Sequence, residues 1–192
     1  MPFLQQKGNY RNLIAYQKAE CIYDITYYFA HKFLKHGDRT IDQMIQAARS
    51  GKQNIAEGAS AATTSAETEI KLMNVARASL QELLIDYEDY LRVRSLCKWD
   101  INDERSIKTR DICSKHNDSA FYSEAIKTRT DETIANIAIT LIYQTDVFVR
   151  KLINRLQDDF IKNGGIRERM THARIEFRKN ISQHANKPDS PN

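Results

Sequence analysis

Five histidines, His31, His36, His116, His172 and His184, are the first side chains that could carry chemistry. A metal held on one helical face needs two imidazoles three or four residues apart, and no pair has that spacing. No Glu stands three residues before a His either, which excludes the Glu-x-x-His pairs of a di-iron helical bundle. Cys21, Cys97 and Cys113 are odd in number and far apart, unlike a disulfide framework or a Cys-x-x-Cys knuckle, and are expected to be buried or inert thiols. Asp86, Glu88 and Asp89 could act as metal carboxylates, but Tyr87 and Tyr90 between them fit a helix seam, so the acids read as its wet face. Phosphate-binding glycine loops, the dinucleotide fingerprint, the His-Glu-x-x-His zinc motif and the nucleophile elbow are all missing. The expectation is a protein without catalytic residues, metal or cofactor.

Cations offer a different chemistry. From Lys162 onward seven Lys and Arg stand against three acids, so this stretch carries the whole formal charge of +4 and the preceding body is neutral. Such asymmetry points to a polyanion. Candidate phosphate contacts are Arg49, Lys52, Lys71 and Arg77 in the body and Arg167, Arg169, Arg174, Arg178 and Lys179 near the end. Clustered Lys and Arg bind phosphates by releasing counterions, which makes the affinity salt-dependent.

The elements that position these residues are helices. All three prolines, Pro2, Pro188 and Pro191, lie near a terminus, and a proline-free interior of this length favours long helices. A first helix from Arg11 to about Lys35 has the face Ala15, Ala19, Ile22, Thr26, Phe29, Phe33, with a second stripe of Leu13, Tyr16, Tyr23, Tyr27 and Leu34. Gly37 ends the pattern, Thr40 to Gln43 has capping-box spacing, and a second helix to about Glu57 has the seam Ile41, Met44, Ala48, Gly51, Ile55, with Gly58 as a left-handed cap. Asn54 and Glu57 read as satisfying backbone groups at that end, with a binding site as the alternative. A second capping box, Thr64 to Glu67, opens a third helix with the heptad Met73, Ala76, Leu80, Leu83, Tyr87, Tyr90; continued to Leu96 it would be about 45 Å long. Residues 97–130 read as a partly helical insertion with Asp103 and Ser119 as caps. Asp131 opens a fourth helix bearing Ile134, Ile137, Leu141, Phe148, Leu152 and Leu156, flanked by Ala138, Ile142, Val149 and Ile153 and stopped at Asn163-Gly164-Gly165. A short basic helix follows with Ile166, Met170, Ala173 and Phe177 on one side.

The predicted fold is therefore all-α: an antiparallel up-down four-helix bundle over 1–162, a helical insertion at 97–130, a suffix helix at 163–180 and a disordered tail at 181–192. Every apolar stretch is cut by charge, which predicts no membrane span, and the start lacks a secretory signal pattern, so a cytoplasmic site is expected.

The run Asn54-Ile55-Ala56-Glu57-Gly58, with Leu13 to Ala19 before it and Ala76 to Leu83 after it, resembles the bacterial four-helix-bundle proteins encoded in intervening sequences of 23S ribosomal RNA genes. That family includes the accessory variability determinant of diversity-generating retroelements. Gln43, Ala47 and Ser50 fall at matching places, and Gly164 to Met170 is similar to the suffix-containing variant. The resemblance covers about residues 9–96 closely and 131–162 loosely. It implies a homopentamer with a basic surface that in the retroelement branch contacts RNA and a reverse transcriptase, and no enzyme activity. Two functions are carried forward: an oligomeric accessory protein that binds nucleic acid, RNA before DNA, or a protein-interaction scaffold that binds none.

Overall fold

The computed structural model describes residues 9–61 and 65–185, and in this range the chain is all-helical, without a strand. A 3-10 turn at Tyr10–Asn12 leads into α1 (Ile14–Phe33), α2 (Arg39–Ala61), α3 (Ala66–Val93), α4 (Glu104–Lys115), α5 (Ser119–Ala125), α6 (Asp131–Asn163) and α7 (Ile166–Ala185). No helix among the described residues is long and apolar enough to cross a membrane.

Packing follows the apolar periodicity. All six heptad residues of α3 are buried, as are Ala15, Ala19, Ile22, Thr26 and Phe29 of α1 and Met44, Ala48, Gly51 and Ile55 of α2. Phe29 packs tilted against Tyr87 and edge-on against Tyr90 at ring-centroid distances of 5.1 and 4.7 Å, and the Tyr87 hydroxyl donates to Thr26 Oγ1 at 3.0 Å inside the core. Burial drives the Tyr87 phenol well above its usual pKa, so it stays a neutral donor. Residue order in these contacts fixes direction. Ser50 meets Ser79 at 2.9 Å while Gly58 lies against Met73, so α2 runs against α3; Arg77 meets Asp146 and Tyr90 meets Asp131, so α3 runs against α6.

Gly58 is not a cap. It lies buried inside α2, which continues to Ala61, and among the described glycines only Gly37 and Gly164 have positive φ. Its role, like that of Gly51, is close approach: a Cβ on Gly51 would stand 2.8 Å from Leu80 Cδ2, and one on Gly58 3.0 Å from Met73 Cε. With the helix end elsewhere, Glu57 has no terminus to satisfy and is exposed, while Asn54 Nδ2 donates to Ser50 O at 2.9 Å within the helix.

Several caps lie one or two residues from their predicted places. Asp38 rather than Thr40 opens α2, its Oδ1 accepting from Thr40 N at 2.9 Å. Ser65 caps α3, and Thr64 lies outside the described residues. Asp118 caps α5 in place of Ser119, whereas Asp103 caps α4 as expected. In each shift an Asp or Ser just upstream supplies the acceptor for an early N–H. Thr130 caps α6, and Gly164, with φ 67°, ends it. The α7 helix runs five residues beyond Asn180, so Ile181 to Ala185 belong to it; residues 186–192 of the expected tail lie outside the described residues.

Gly51→Ala should destabilise the protein by about 1–2 kcal/mol, because overpacking against the branched, buried Leu80 outweighs the gain in helix propensity. Gly58→Ala meets the swinging methyl of Met73 and, at 3.3 Å, Leu72 Cβ, milder contacts than those at Gly51, and should fall within about 1 kcal/mol of the parent. Urea midpoints of the two variants check this; Gly51→Ala proving the more stable would refute the close-approach assignment.

Candidate nucleic-acid interface

The predicted cations separate into groups. Arg49 is exposed on α2, and Lys52 is half-buried with its ammonium 4.2 Å from the centre of the Tyr23 ring, on the α1 side. Lys71 is exposed near the start of α3. Arg77 points to the other side, toward α6, where its Nε meets Asp146 Oδ1 at 2.8 Å. Lys52 and Arg77 thus face different neighbours and do not form one patch.

Around Arg77 the structure adds residues that the periodicity did not single out. Arg150 Nε reaches the other oxygen of Asp146 at 2.8 Å, and Arg77, Arg150, Lys151 and Asn154 line a shallow hollow of about 290 Å³ floored by Val147 and Ile153. One carboxylate faces three cations there, leaving a local excess of two positive charges. Arg150 and Lys151 lie one turn from Asp146 and Val147 on α6. Their signal was the i, i+4 spacing of Asp146 and Arg150, a pattern too common on helices to mark a site.

On the suffix, Arg169 is partly committed: its Nη2 donates to Asp159 at 2.9 Å and its Nε to Gly164 O at 3.3 Å, pinning the start of α7 to the end of α6. Arg167, Arg174, Arg178 and Lys179 are exposed. The apolar side of α7 is also open, with Met170 at 41 % and Phe177 at 67 % exposure, so these residues do not dock the helix on the rest of the chain.

A second concavity, about 490 Å³, lies between the 97–110 region and α6; Trp99, Ile101, Ile139, Tyr143 and Val147 wall it, with Arg110 and Gln144 among its polar groups. Buried Asn136 ties the segment down, donating to Cys97 O at 2.9 Å and accepting from Trp99 N at 2.9 Å. Lys98 is held by Glu88, and that hydrogen bond raises its pKa. Of the three thiols expected to be buried or inert, Cys21 and Cys113 are buried and Cys97 is exposed; burial pushes the Cys21 thiol up to about 12.

Lys18 sets α4 against the remaining helices. It is 1 % exposed, and its ammonium donates to Cys113 O in the last turn of α4 at 2.6 Å and to Gln144 Oε1 of α6 at 2.9 Å. A cation from α1 thereby satisfies a carbonyl at the negative end of another helix. Gln144 completes the link by donating to Arg110 O at 3.0 Å.

Among the described residues, no group of three His, Cys, Asp or Glu side chains lies close enough to hold a metal ion. Compared with protein-family models, curated proteins and solved structures, the chain matches none.

Burial lowers the Lys18 pKa below its ordinary 10.5. Below the folded value the amine is charged in both states and the burial penalty is present in full; between the folded value and 10.5 the unfolded chain binds the extra proton, so stability rises with pH. Relative to Lys18→Met, the parent should therefore gain stability as pH is raised from 7 toward 10.5. Denaturant titrations of both proteins across that range check the sign, and a pH-independent difference would show that Lys18 titrates normally.

Proposed function

We propose that this chain is a non-enzymatic, homo-oligomeric accessory protein that binds nucleic acid, RNA before DNA, through cations on α6, α3 and α7. Its core is read as an antiparallel up-down four-helix bundle of α1, α2, α3 and α6, with α4 and α5 as the insertion and α7 as the suffix. The observation that carries the binding reading is the hollow of Arg77, Arg150 and Lys151, where Asp146 neutralises only one of three positive charges. Uncompensated cations in a concave surface are what a phosphate needs. On α7 the exposed Arg167, Arg174, Arg178 and Lys179 add further cations for a phosphate backbone.

Assembly is supported by unpartnered apolar surface. Met170, Phe177 and Ile181 (53 % exposed) recur along α7 in steps of seven and four, and Tyr27 is half exposed on α1. A pentamer, and a reverse transcriptase as one partner, follow from the family resemblance of the Asn54 to Gly58 run and belong to the same proposal. That apolar stripe also favours the second reading, a protein-interaction scaffold without nucleic-acid binding.

A salt titration separates the two. Full-length protein should bind labelled RNA at about 50 mM salt, with log affinity falling against log salt at a slope of about −2 or steeper, and truncation after Gly165 should flatten that slope. If neither form binds RNA or duplex DNA, the scaffold reading replaces this one. Light scattering at micromolar concentration should show an oligomer, and a monomer there would remove that part of the proposal.

A further inference from the structure

The hollow and the cleft are not separate features. Val147 lines both, so hollow and cleft adjoin along α6 and are read together as one groove, with Arg77, Arg150 and Lys151 at one end and Tyr143, Trp99 and Arg110 at the other. Tyr143 and Arg150 are two helical turns apart, about 11 Å along the axis. The groove is therefore cationic at one end and aromatic at the other.

We infer that this groove is a site for single-stranded nucleic acid, with a phosphate in the hollow and an unstacked base in the cleft between Tyr143 and Trp99. The inference rests on the nucleic-acid reading above and names the form of strand that α6 accepts. A single strand exposes both things the groove offers to hold: a charged backbone, and flat base faces that stack on aromatic rings whatever the sequence. A duplex keeps its bases stacked against one another and would leave the apolar cleft unfilled.

Polar groups in the cleft fit this division. Asn136 and Gln144 are spent on protein partners, so they stiffen the floor rather than wait for a ligand. Arg110 is different: its side chain donates to Ser106 Oγ at 2.9 Å and forms no ion pair among the described residues, which leaves guanidinium N–H groups for a base edge or sugar oxygen. Tyr143 is half exposed, its hydroxyl 3.4 Å from Glu88 Oε1, and its ring lines the cleft. Trp99 is steadied by its indole N–H to Glu132 at 3.2 Å and by the Arg105 guanidinium 5.0 Å from its ring centre. A volume of about 490 Å³ lies within the range of small-ligand pockets, enough for one nucleobase.

Trp99 is the only tryptophan and it lines this cleft, so its emission responds to a ligand bound there. Full-length protein would be titrated with a labelled single-stranded oligoribonucleotide, with a duplex of the same length, and with nucleoside monophosphates, following both oligonucleotide anisotropy and Trp99 emission. The single strand should bind more tightly than the duplex and quench Trp99. Tyr143→Ala should weaken it about tenfold or more, Tyr143→Phe should leave it near the parent, and Arg150→Glu should weaken it and flatten its salt slope. Strand binding that leaves Trp99 emission unchanged and ignores Tyr143→Ala would overturn this inference while the nucleic-acid reading survives. A duplex that binds as tightly and quenches equally, or a monophosphate as effective as the oligonucleotide, would also overturn it. Failure of both strand and duplex to bind would remove the nucleic-acid reading together with this one.

Discussion

Everything outside the core depends on the enclosure of the first half of α6. Ile134 to Ile139 are six consecutive buried residues, so no side of that stretch meets water. A helix with one core-facing stripe buries only part of its circumference; burial all round requires cover on the outer side as well. Here α1 and α3 take the inner side, and the 97–126 region with α4 takes the outer. Polar groups caught in this enclosure must be satisfied internally, and Asn136 does so by bonding the backbone of Cys97 and Trp99. The insertion is thus a wall of the core as well as a connection.

That wall is hung from α1. Lys18 grips the end of α4, Asp24 accepts from the Ser119 hydroxyl at the start of α5, and the Tyr122 hydroxyl donates to His116 O across the junction between them. Removing a buried ammonium from water costs several kcal/mol, and the negative end of α4 offsets part of it. A buried lysine without a carboxylate partner is a costly anchor, yet it fixes where the end of α4 sits relative to α6. The aromatic cleft depends on that placement, since Trp99 and Arg110 stand on one side of it and Tyr143 on the other.

How much of this could be read from the chain alone depends on whether one helix or several decide a feature. The α3 heptad and the faces of α1 and α2 were legible because each is an internal rhythm, and every fully apolar seam position of α3 is buried. On α6 the rhythm was read slightly out of phase: Phe148 and Leu152 are only partly buried, while Val149 and Ile153, taken as flanks, are in the core. The near-continuous run Ile134-Ala135-Asn136-Ile137-Ala138-Ile139 did carry the signal of all-round burial, but which segment supplies the cover is a tertiary fact. Gly58 failed as a cap for the same reason. A glycine that ends a helix and a glycine beneath a crossing helix look alike until Met73 is placed opposite. The hollow on α6 was illegible because Arg77 lies some seventy residues from Arg150 in sequence, and only the antiparallel packing of α3 on α6 unites them.

Charge has to be argued locally for this molecule. The neutral body suggests at first that only the suffix can attract a polyanion, but neutrality of a whole surface says little about a groove where Asp146 is shared by two arginines and a lysine stands beside them. At physiological salt, fields from exposed charges fade within about 8 Å, so a phosphate in that hollow responds chiefly to the nearest few groups. Several acids of the body are paired with cations of their own, Glu88 with Lys98, Asp103 and Glu132 with Arg105, Asp111 with Lys115. The local excess stands on the part of α6 beyond its enclosed first half, where Arg150 and Lys151 are exposed. The constraint that buries the first half of the helix is therefore also what leaves its second half free to present cations beside an aromatic cleft.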